Sequence, residues 1–179
     1  MTGYRNAQKP DWRTGLPYRP NVGICLINRN GLIWVGRAAT SGPEIVTPGL
    51  EWQMPQGGIE ENEDILVAAK RELLEETGIS SISFLAQTYE WWAYDFTPDY
   101  TPKNHKLDRF CGQKQKWVAF RYDGNENEID ISAQGTIEPQ EFFEWQWFSP
   151  DEAISKCVRM KRKQYERVFK AFSSHFAPI

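Results

Sequence analysis

The sequence predicts a single α/β domain, built as a mixed β-sheet with helices packed on its faces. Three observations support this fold class. Short β-rich runs bounded by Gly, Pro and Asn are spread along the chain. Two other segments carry apolar residues at helical spacing. With 179 residues, 40 % of them hydrophobic, the chain has the length and apolar content of one domain with a substantial core.

The first predicted element is a β-hairpin that follows an N-terminal tail. Residues 1–17 contain several Pro and Gly residues and no continuous apolar run. We therefore expect a flexible tail there and a folded domain over 18–179. The runs NVGICLIN (21–28) and LIWVGR (32–37) flank Asn30-Gly31, a pair that is typical of hairpin turns.

The chain then leads into an acidic helix. A loop rich in Gly, Pro and Ser at 41–49 is followed by EWQM (51–54), which predicts a short strand stopped by Pro55. We expect QGG (56–58) to turn the chain into a helix over about 62–77. The buried stripe of that helix is predicted to consist of Ile65, Leu66, Ala69 and Leu73.

The second half of the chain supplies further strands and two more helices. The strands are predicted near 82–87, 89–96, 115–122 and 144–148. A loop at 97–112 has a length that is usually functional or disordered. Ser149 and Glu152 predict a capping box at the start of a helix, and a final amphipathic helix is expected over about 161–175.

Three glutamates crowd the end of the first helix. Glu72, Glu75 and Glu76 fall at positions i, i+3 and i+4, so their carboxylates share an arc of roughly 100° and repel one another. Gly78 favours the left-handed conformation that ends a helix, where the backbone dipole already presents negative charge. A divalent cation would turn this repulsion into attraction. Carboxylates without nearby His or Cys select hard ions, here Mg²⁺ or Mn²⁺; the alternative is a solvated acidic face.

The residues around these glutamates resemble the signature of a known family. Nine fixed positions within 23 residues match the pattern of the Nudix hydrolases: Gly57, Glu63, Arg71, Glu72, Leu73, Glu75, Glu76, Gly78 and Ile79. The resemblance implies an α/β/α sandwich around a mixed sheet. It also implies glutamates that hold Mg²⁺ or Mn²⁺ while water cleaves a nucleoside diphosphate linked to another group. Gly57 and Gly58 permit a close approach to the helix, and Arg71 can hold Glu63.

The resemblance extends over about residues 18–170. It is carried by YRPNVGICLIN, WQMPQGGIE, GQKQKW, EFFEWQWFSP and KRKQY. These segments are similar to the branch that contains bacterial RNA pyrophosphohydrolases and plant-type asymmetric diadenosine tetraphosphate hydrolases. In that branch a Glu before the W-x-W strand assists the metals or acts as a base, and here it matches Glu141. Glu138 and Glu144 are close competitors.

The resemblance therefore gives a candidate active site. The candidate catalytic residues are Glu72, Glu75, Glu76, Glu141, Arg71 and Glu63, and the candidate metal ligands are Glu72, Glu75, Glu76, Gly57 and Glu141. Two or three metal ions held there would activate water and stabilise charge on the leaving phosphate. No covalent nucleophile is needed, and His105 and His175 are expected at the surface.

Basic and aromatic residues are candidates for substrate binding. Residues 103–116 contain five Lys or Arg residues against one acid, Asp108, and residues 161–163 form a second basic cluster; solvated surface lysines are the alternative. Alternation places Lys114 and Lys116 on one face of a strand. The full set of candidates is Tyr94, Lys116, Lys114, Arg37, Arg19 and Lys161.

Two substrates fit the resemblance. The stretch WWAYDFTP and a Met at position 160, where RNA-directed members commonly have an aromatic residue, favour diadenosine tetraphosphate, cut asymmetrically to ATP and AMP. The alternative is removal of pyrophosphate from the 5′ end of triphosphorylated RNA. ADP-sugar hydrolysis and a non-catalytic nucleotide-binding module are further alternatives.

Composition limits the remaining possibilities. A net charge of −3 argues against coating nucleic acid by overall positive charge. Three widely spaced cysteines, Cys25, Cys111 and Cys157, suggest neither a disulfide framework nor a zinc site. We expect a cytoplasmic protein, since no secretory signal or membrane span is predicted. The expected partners are a nucleotide polyphosphate and the 5′ end of RNA, with no membrane and no obligate protein partner.

Overall fold

The computed structural model describes residues 15–38, 48–96, 107–132 and 140–179. Several sequence predictions lie outside these residues. They concern most of the N-terminal tail, most of the loop at 41–49, the first part of the loop at 97–112 with His105, and Glu138.

A mixed sheet forms the centre of the domain, as predicted. In the described residues its strands are β1 (Tyr18–Ile27), β2 (Ile33–Ala38), β3 (Trp52–Gln53), β4 (Gln56–Gly58), β5 (Ile82–Gln87), β6 (Trp92–Asp95), β7 (Gly112–Tyr122) and β8 (Phe142–Phe148). The central path runs β3-β2-β1-β7-β5, while β4 pairs with β1, β6 with β7 and β8 with β2. The β1–β7 pair is parallel, and the other pairs are antiparallel.

Helices cover both faces of this sheet. They are α1 (Ile65–Thr77), α2 (Pro150–Lys156) and α3 (Arg162–Ala171). Buried residues of α1 pack with Val22, Ile24 and Leu26 of β1 in one core cluster. Tyr165 and Val168 of α3 pack in the other core cluster on the opposite face. The α/β/α layering expected from the sequence is therefore confirmed.

The predicted hairpin and helix caps are present. Gly31 adopts φ +75° in the turn between β1 and β2, and its N–H donates to the Asn28 carbonyl at 3.0 Å. Gly78 ends α1 with φ +71°, and its N–H donates to the Leu74 carbonyl at 2.9 Å. Ser149 and Glu152 form the predicted capping box of α2. The sequence could predict these features because each depends on a few adjacent residues.

The prediction that QGG (56–58) is a turn was wrong. These residues form β4, which pairs antiparallel with β1 from Asn21 to Gly23. Strand β1 pairs with β2 only at Ile27, so the same edge of β1 remains open near its start, and β4 pairs there. The helix consequently begins at Ile65, three residues later than predicted, with Asp64 as N-cap.

The later strands differ from prediction mainly at their ends. Strand β7 begins at Gly112 rather than 115 because its first residues pair with β1 on one side and β6 on the other. Strand β6 begins at Trp92 rather than 89, and β8 begins at Phe142 rather than 144. The final helix is shorter than predicted, since 3₁₀ turns at 159–161 and 173–175 flank α3.

Candidate active site

The site is centred on the contact between β4 and the C-terminal half of α1. The Glu72 carboxylate packs directly on the backbone of Gly57: a Cβ added to Gly57 would lie 1.7 Å from Cδ of Glu72. Only a residue without a side chain can occupy this position while Glu72 keeps its place. The sequence and the pairing of β4 with β1 thus fix one carboxylate against the strand.

Arg71 connects four groups around this contact. Its guanidinium binds both carboxylate oxygens of Glu63, through Nε at 2.8 Å and Nη2 at 2.9 Å. Nη1 donates to Oε1 of Glu72 at 2.8 Å and to Oε2 of Glu75 at 3.2 Å. Nη2 also donates to the carbonyl oxygen of Gly58 at 2.9 Å. The Arg71 side chain therefore holds the loop before α1, β4 and the acidic face of α1 in one arrangement.

These contacts shift the ionisation of the charged groups. The hydrogen bonds from Arg71 lower the pKa of Glu63, and the hydrogen bond to Glu63 raises the pKa of Arg71. Burial raises the pKa of Glu72, although Arg71 acts in the opposite direction. Glu63 and Arg71 thus form a firmly ionised pair beside a carboxylate that is costly to charge.

Glu76, one helical turn after Glu72, also contacts β4. One of its carboxylate oxygens accepts a hydrogen bond from the backbone N–H of Gln56 at 3.2 Å. Burial raises the pKa of Glu76 well above its ordinary value, and the charges of Glu141 and Glu72 raise it further. Lys161 lowers it in part. Three carboxylates and one buried ammonium group are therefore electrostatically coupled here.

Gln53 is a site residue that sequence reasoning missed. It is 2 % exposed on β3, its Nε2 donates to Oε1 of Glu141 at 3.2 Å, and its Oε1 accepts from the Lys161 ammonium. A Gln in a short strand carries no chemical signal of its own. Its partners come from residues 141 and 161, so its role becomes visible only in the folded chain.

Replacing Gln53 with leucine should reduce kcat by about 10- to 100-fold, because side chains that orient charged site residues typically contribute that much. The free energy of unfolding should fall by about 1–3 kcal/mol as two charged groups lose a buried partner. Steady-state kinetics and thermal unfolding would measure both effects. Gln146 is the matched control, since it is exposed and donates to Glu144 at the same 3.2 Å. Equal effects of Gln53→Leu and Gln146→Leu would contradict the role of Gln53.

Two predicted substrate residues lie beside this network. The guanidinium of Arg19 lies over the backbone of Gly58, and its charge acts on Glu72. Tyr94 is half-buried, donates a hydrogen bond to Oε1 of Gln113 at 2.8 Å and packs against a small apolar cluster that includes Met160. Met160 immediately precedes Lys161.

The other basic candidates differ in their surroundings. Lys161 is 1 % exposed, so it does not form one surface cluster with Arg162 and Lys163, which are exposed. The alternation predicted for Lys114 and Lys116 is present, because Gln113, Gln115 and Trp117 are buried on the other face of β7.

Two contacts distinguish the competing glutamates. Glu144 forms an ion pair with Arg37 at 2.9 Å. Glu141 instead contacts Gln53, and its charge acts on Glu76. Among the described residues, Glu141 is therefore the glutamate that lies with Glu72 and Glu76. Arg37 lies beside Glu144 instead.

The donor set fits a hard divalent cation. Glu72, Glu75, Glu76 and Glu141 supply carboxylate oxygens, the ligands that Mg²⁺ and Mn²⁺ prefer. Within the four described ranges, no three His, Cys, Asp or Glu side chains are already gathered in the geometry of a metal site. Arg71 is one reason why the carboxylates do not converge on a single point, because it binds one oxygen of Glu72 and one of Glu75. Glu72 and Glu76 are partly buried and each is surrounded by other carboxylates, so a bound cation would relieve their repulsion.

Solved structures share this architecture. A Caenorhabditis elegans Ap4A hydrolase binary complex superposes with a TM-score of 0.56 at 16 % identity, covering 86 % of this chain and 98 % of that chain. A MutT protein from Methanosarcina mazei gives a TM-score of 0.57 at 18 % identity, covering 88 % and 96 %. At these identities the similarity establishes the fold alone.

Sequence comparison identifies the family. The NUDIX domain matches residues 17–172. An RNA pyrophosphohydrolase of Rhizobium meliloti is 45 % identical over 159 residues, which cover 88 % of this chain and 95 % of that protein. Nudix hydrolase 25 of Arabidopsis thaliana is 42 % identical, covering 88 % and 87 %. The chain belongs to the Nudix family and is a hydrolase that acts on phosphoanhydride bonds.

Two general properties accompany this assignment. The Nudix family generally uses divalent metal ions such as Mg²⁺. In the described parts of the chain, no helix is both long and apolar enough to cross a membrane.

Proposed function

We propose that this chain is a divalent-metal-dependent RNA pyrophosphohydrolase, which removes pyrophosphate from 5′-triphosphorylated RNA. The observation that carries the proposal is its similarity to proteins of that name. The R. meliloti protein is 45 % identical, and one from Mesorhizobium japonicum is 44 % identical over 162 residues, covering 90 % of this chain and 93 % of that protein. These relatives support the RNA substrate better than diadenosine tetraphosphate, the first choice from the sequence.

The carboxylate cluster would carry the metal-dependent part of the reaction. Glu72, Glu75, Glu76 and Glu141, with the backbone at Gly57, would hold Mg²⁺ or Mn²⁺. When bound, such an ion neutralises phosphate charge and makes water a better nucleophile. Water attacks a phosphorus atom, the anhydride linking the α- and β-phosphates breaks, and pyrophosphate leaves a 5′-monophosphate on the RNA. Glu141 is the candidate to accept the proton from water, since it is exposed yet coupled to Glu76.

Other residues would position these groups and the substrate. Arg71 and Glu63 hold the acidic face of α1 against β4. Lys161 supplies a buried positive charge beside Glu76, and Arg19 supplies one beside Gly58. Such fixed charges stabilise phosphoryl transfer because they require little reorganisation during the reaction.

Diadenosine tetraphosphate remains the second candidate substrate. Tyr94 and Met160 pack in the same apolar cluster next to Lys161. The cluster holds Met160 where the resemblance to RNA-directed members leads us to expect an aromatic residue for base stacking. This difference is the observation that favours a dinucleotide substrate.

Initial rates on both substrates would test the proposal. We expect purified protein with Mg²⁺ to act on a 5′-triphosphorylated 12-nucleotide RNA with kcat/KM at least tenfold higher than on diadenosine tetraphosphate, releasing pyrophosphate. A tenfold preference for the dinucleotide would overturn the proposal. Turnover of ADP-ribose alone would instead indicate an ADP-sugar hydrolase. Nucleotide binding without any turnover would indicate a binding module.

A further inference from the structure

Two exposed aromatic rings lie next to two lysines of β7. Tyr89 is 94 % exposed and Trp91 is 42 % exposed, just before β6. The ammonium of Lys116 lies 5.7 Å from the Tyr89 ring centroid and 5.6 Å from that of Trp91. The ammonium of Lys114 lies 5.4 Å from the Trp91 ring. We call Tyr89, Trp91, Lys114 and Lys116 the aromatic–lysine patch.

The sheet register shows where this patch lies. On one edge of β7, Lys114 and Lys116 lie opposite Pro20 and Val22 of β1. On the other edge, Lys114 lies opposite Ala93 of β6. Ala93 is exposed and follows Trp91 by two residues. Strand β4 pairs with the other edge of β1. The patch and the carboxylate site are therefore on opposite sides of β1.

The charge of the patch is positive although the protein is acidic. Lys114 and Lys116 are two residues apart on β7 and extend from the same face of that strand. The neighbouring acids are engaged elsewhere: Glu90 lies 3.4 Å from the Arg167 guanidinium, and Asp95 accepts a hydrogen bond from Tyr18 at 2.6 Å. The Lys116 ammonium donates to the backbone carbonyls of Thr88 and Tyr89, which hold it beside the rings. The patch thus presents ring faces with positive charge next to them.

We propose that the aromatic–lysine patch binds single-stranded RNA by base stacking and phosphate contacts, as an accessory surface that engages the nucleotides downstream of the reacting 5′ end. Bases stack on exposed aromatic rings irrespective of sequence, and adjacent lysines attract the phosphates between them. The accessory role rests on the proposed function, because it assumes that the substrate is RNA. The binding surface itself can be tested without any turnover.

The first test measures binding of a 5′-hydroxyl 12-nucleotide single-stranded RNA, which has no terminal phosphate to hydrolyse. Fluorescence anisotropy should show that Trp91→Ala weakens binding by about fivefold to 150-fold. Lys114→Gln should reduce the slope of log Kd against log salt concentration by about 0.7. The matched control is Phe84→Ala, because Phe84 is 52 % exposed on β5. An effect of Trp91→Ala within twofold of this control would overturn the proposal.

The second test compares substrates of different length. Trp91→Ala should raise KM for the 5′-triphosphorylated 12-nucleotide RNA by fivefold or more with kcat retained. The constants for a triphosphorylated dinucleotide should not change. Equal losses on both substrates would overturn the accessory role. If the parent protein releases no pyrophosphate, the proposed function fails, while the binding test still decides whether the patch holds RNA. A change in oligomeric state with RNA binding intact would show instead that the patch joins two copies of the chain.

Discussion

Replacing Glu76 with glutamine is expected to lower kcat/KM in saturating Mg²⁺ by at least about a hundredfold. Residues that merely orient metal ligands contribute about 10- to 100-fold, so a direct ligand should contribute at least as much. Glu76 is coupled both to Glu141 and to Glu72, and the amide keeps the shape of the side chain while removing its charge. Initial rates with either candidate substrate would measure this loss. Undiminished turnover would show that the site is wrongly assigned.

The same variant should separate ion binding from folding. Without added metal, Glu76→Gln should unfold at the same temperature as the parent or higher, because burying this carboxylate beside two others is unfavourable. At a Mg²⁺ concentration of 100 times Kd, the parent gains about 2.7 kcal/mol, equivalent to roughly 5–10 °C in Tm. The variant should lose most of that gain. Glu61→Gln, an exposed carboxylate before α1, should behave like the parent.

Local features of the fold could be read directly from the sequence. The β1–β2 turn depends on Gly31, the end of α1 on Gly78 and the start of α2 on Ser149. Each of these residues acts through the conformation or hydrogen bonds of its immediate neighbours. The signature from Gly57 to Ile79 is equally local, because a loop and one helix bring its members together. The contact of Arg71 with Glu63, eight residues earlier, follows from that geometry.

Features that depend on distant pairing were missed. Two adjacent glycines in QGG predict a turn, but an open edge of β1, about 35 residues earlier, makes the segment a strand. Charge alone groups Lys161 with Arg162 and Lys163, whereas the 3₁₀ turn before α3 buries its side chain against Gln53. The contacts of Gln53 and Trp91 likewise come from residues far along the chain. No local pattern encodes them.

Gly57→Ala is the second substitution with a large expected effect. A Cβ at this position would lie 1.7 Å from Cδ and 1.9 Å from Oε2 of Glu72, well inside van der Waals contact. The Glu72 backbone cannot retreat easily, because its neighbour Leu73 is fully buried in the core. The carboxylate must therefore move by more than about 1 Å, a displacement that can cost about a hundredfold in rate. Overpacking should also lower the free energy of unfolding by about 1–3 kcal/mol.

Two further variants distinguish this displacement from a general effect of adding a methyl group. In Gly58→Ala the atoms nearest the new Cβ belong to the Arg19 guanidinium, the closest at 2.3 Å, and not to a carboxylate. This variant should displace the Arg19 charge but leave Glu72 in place, so kcat should fall clearly less than in Gly57→Ala. Combining Gly57→Ala with Glu72→Asp removes one methylene from the crowded side chain, so stability should recover. Activity should not, because the shorter carboxylate no longer reaches the same place. Recovery of both would mean that the position of the Glu72 carboxylate does not control the reaction.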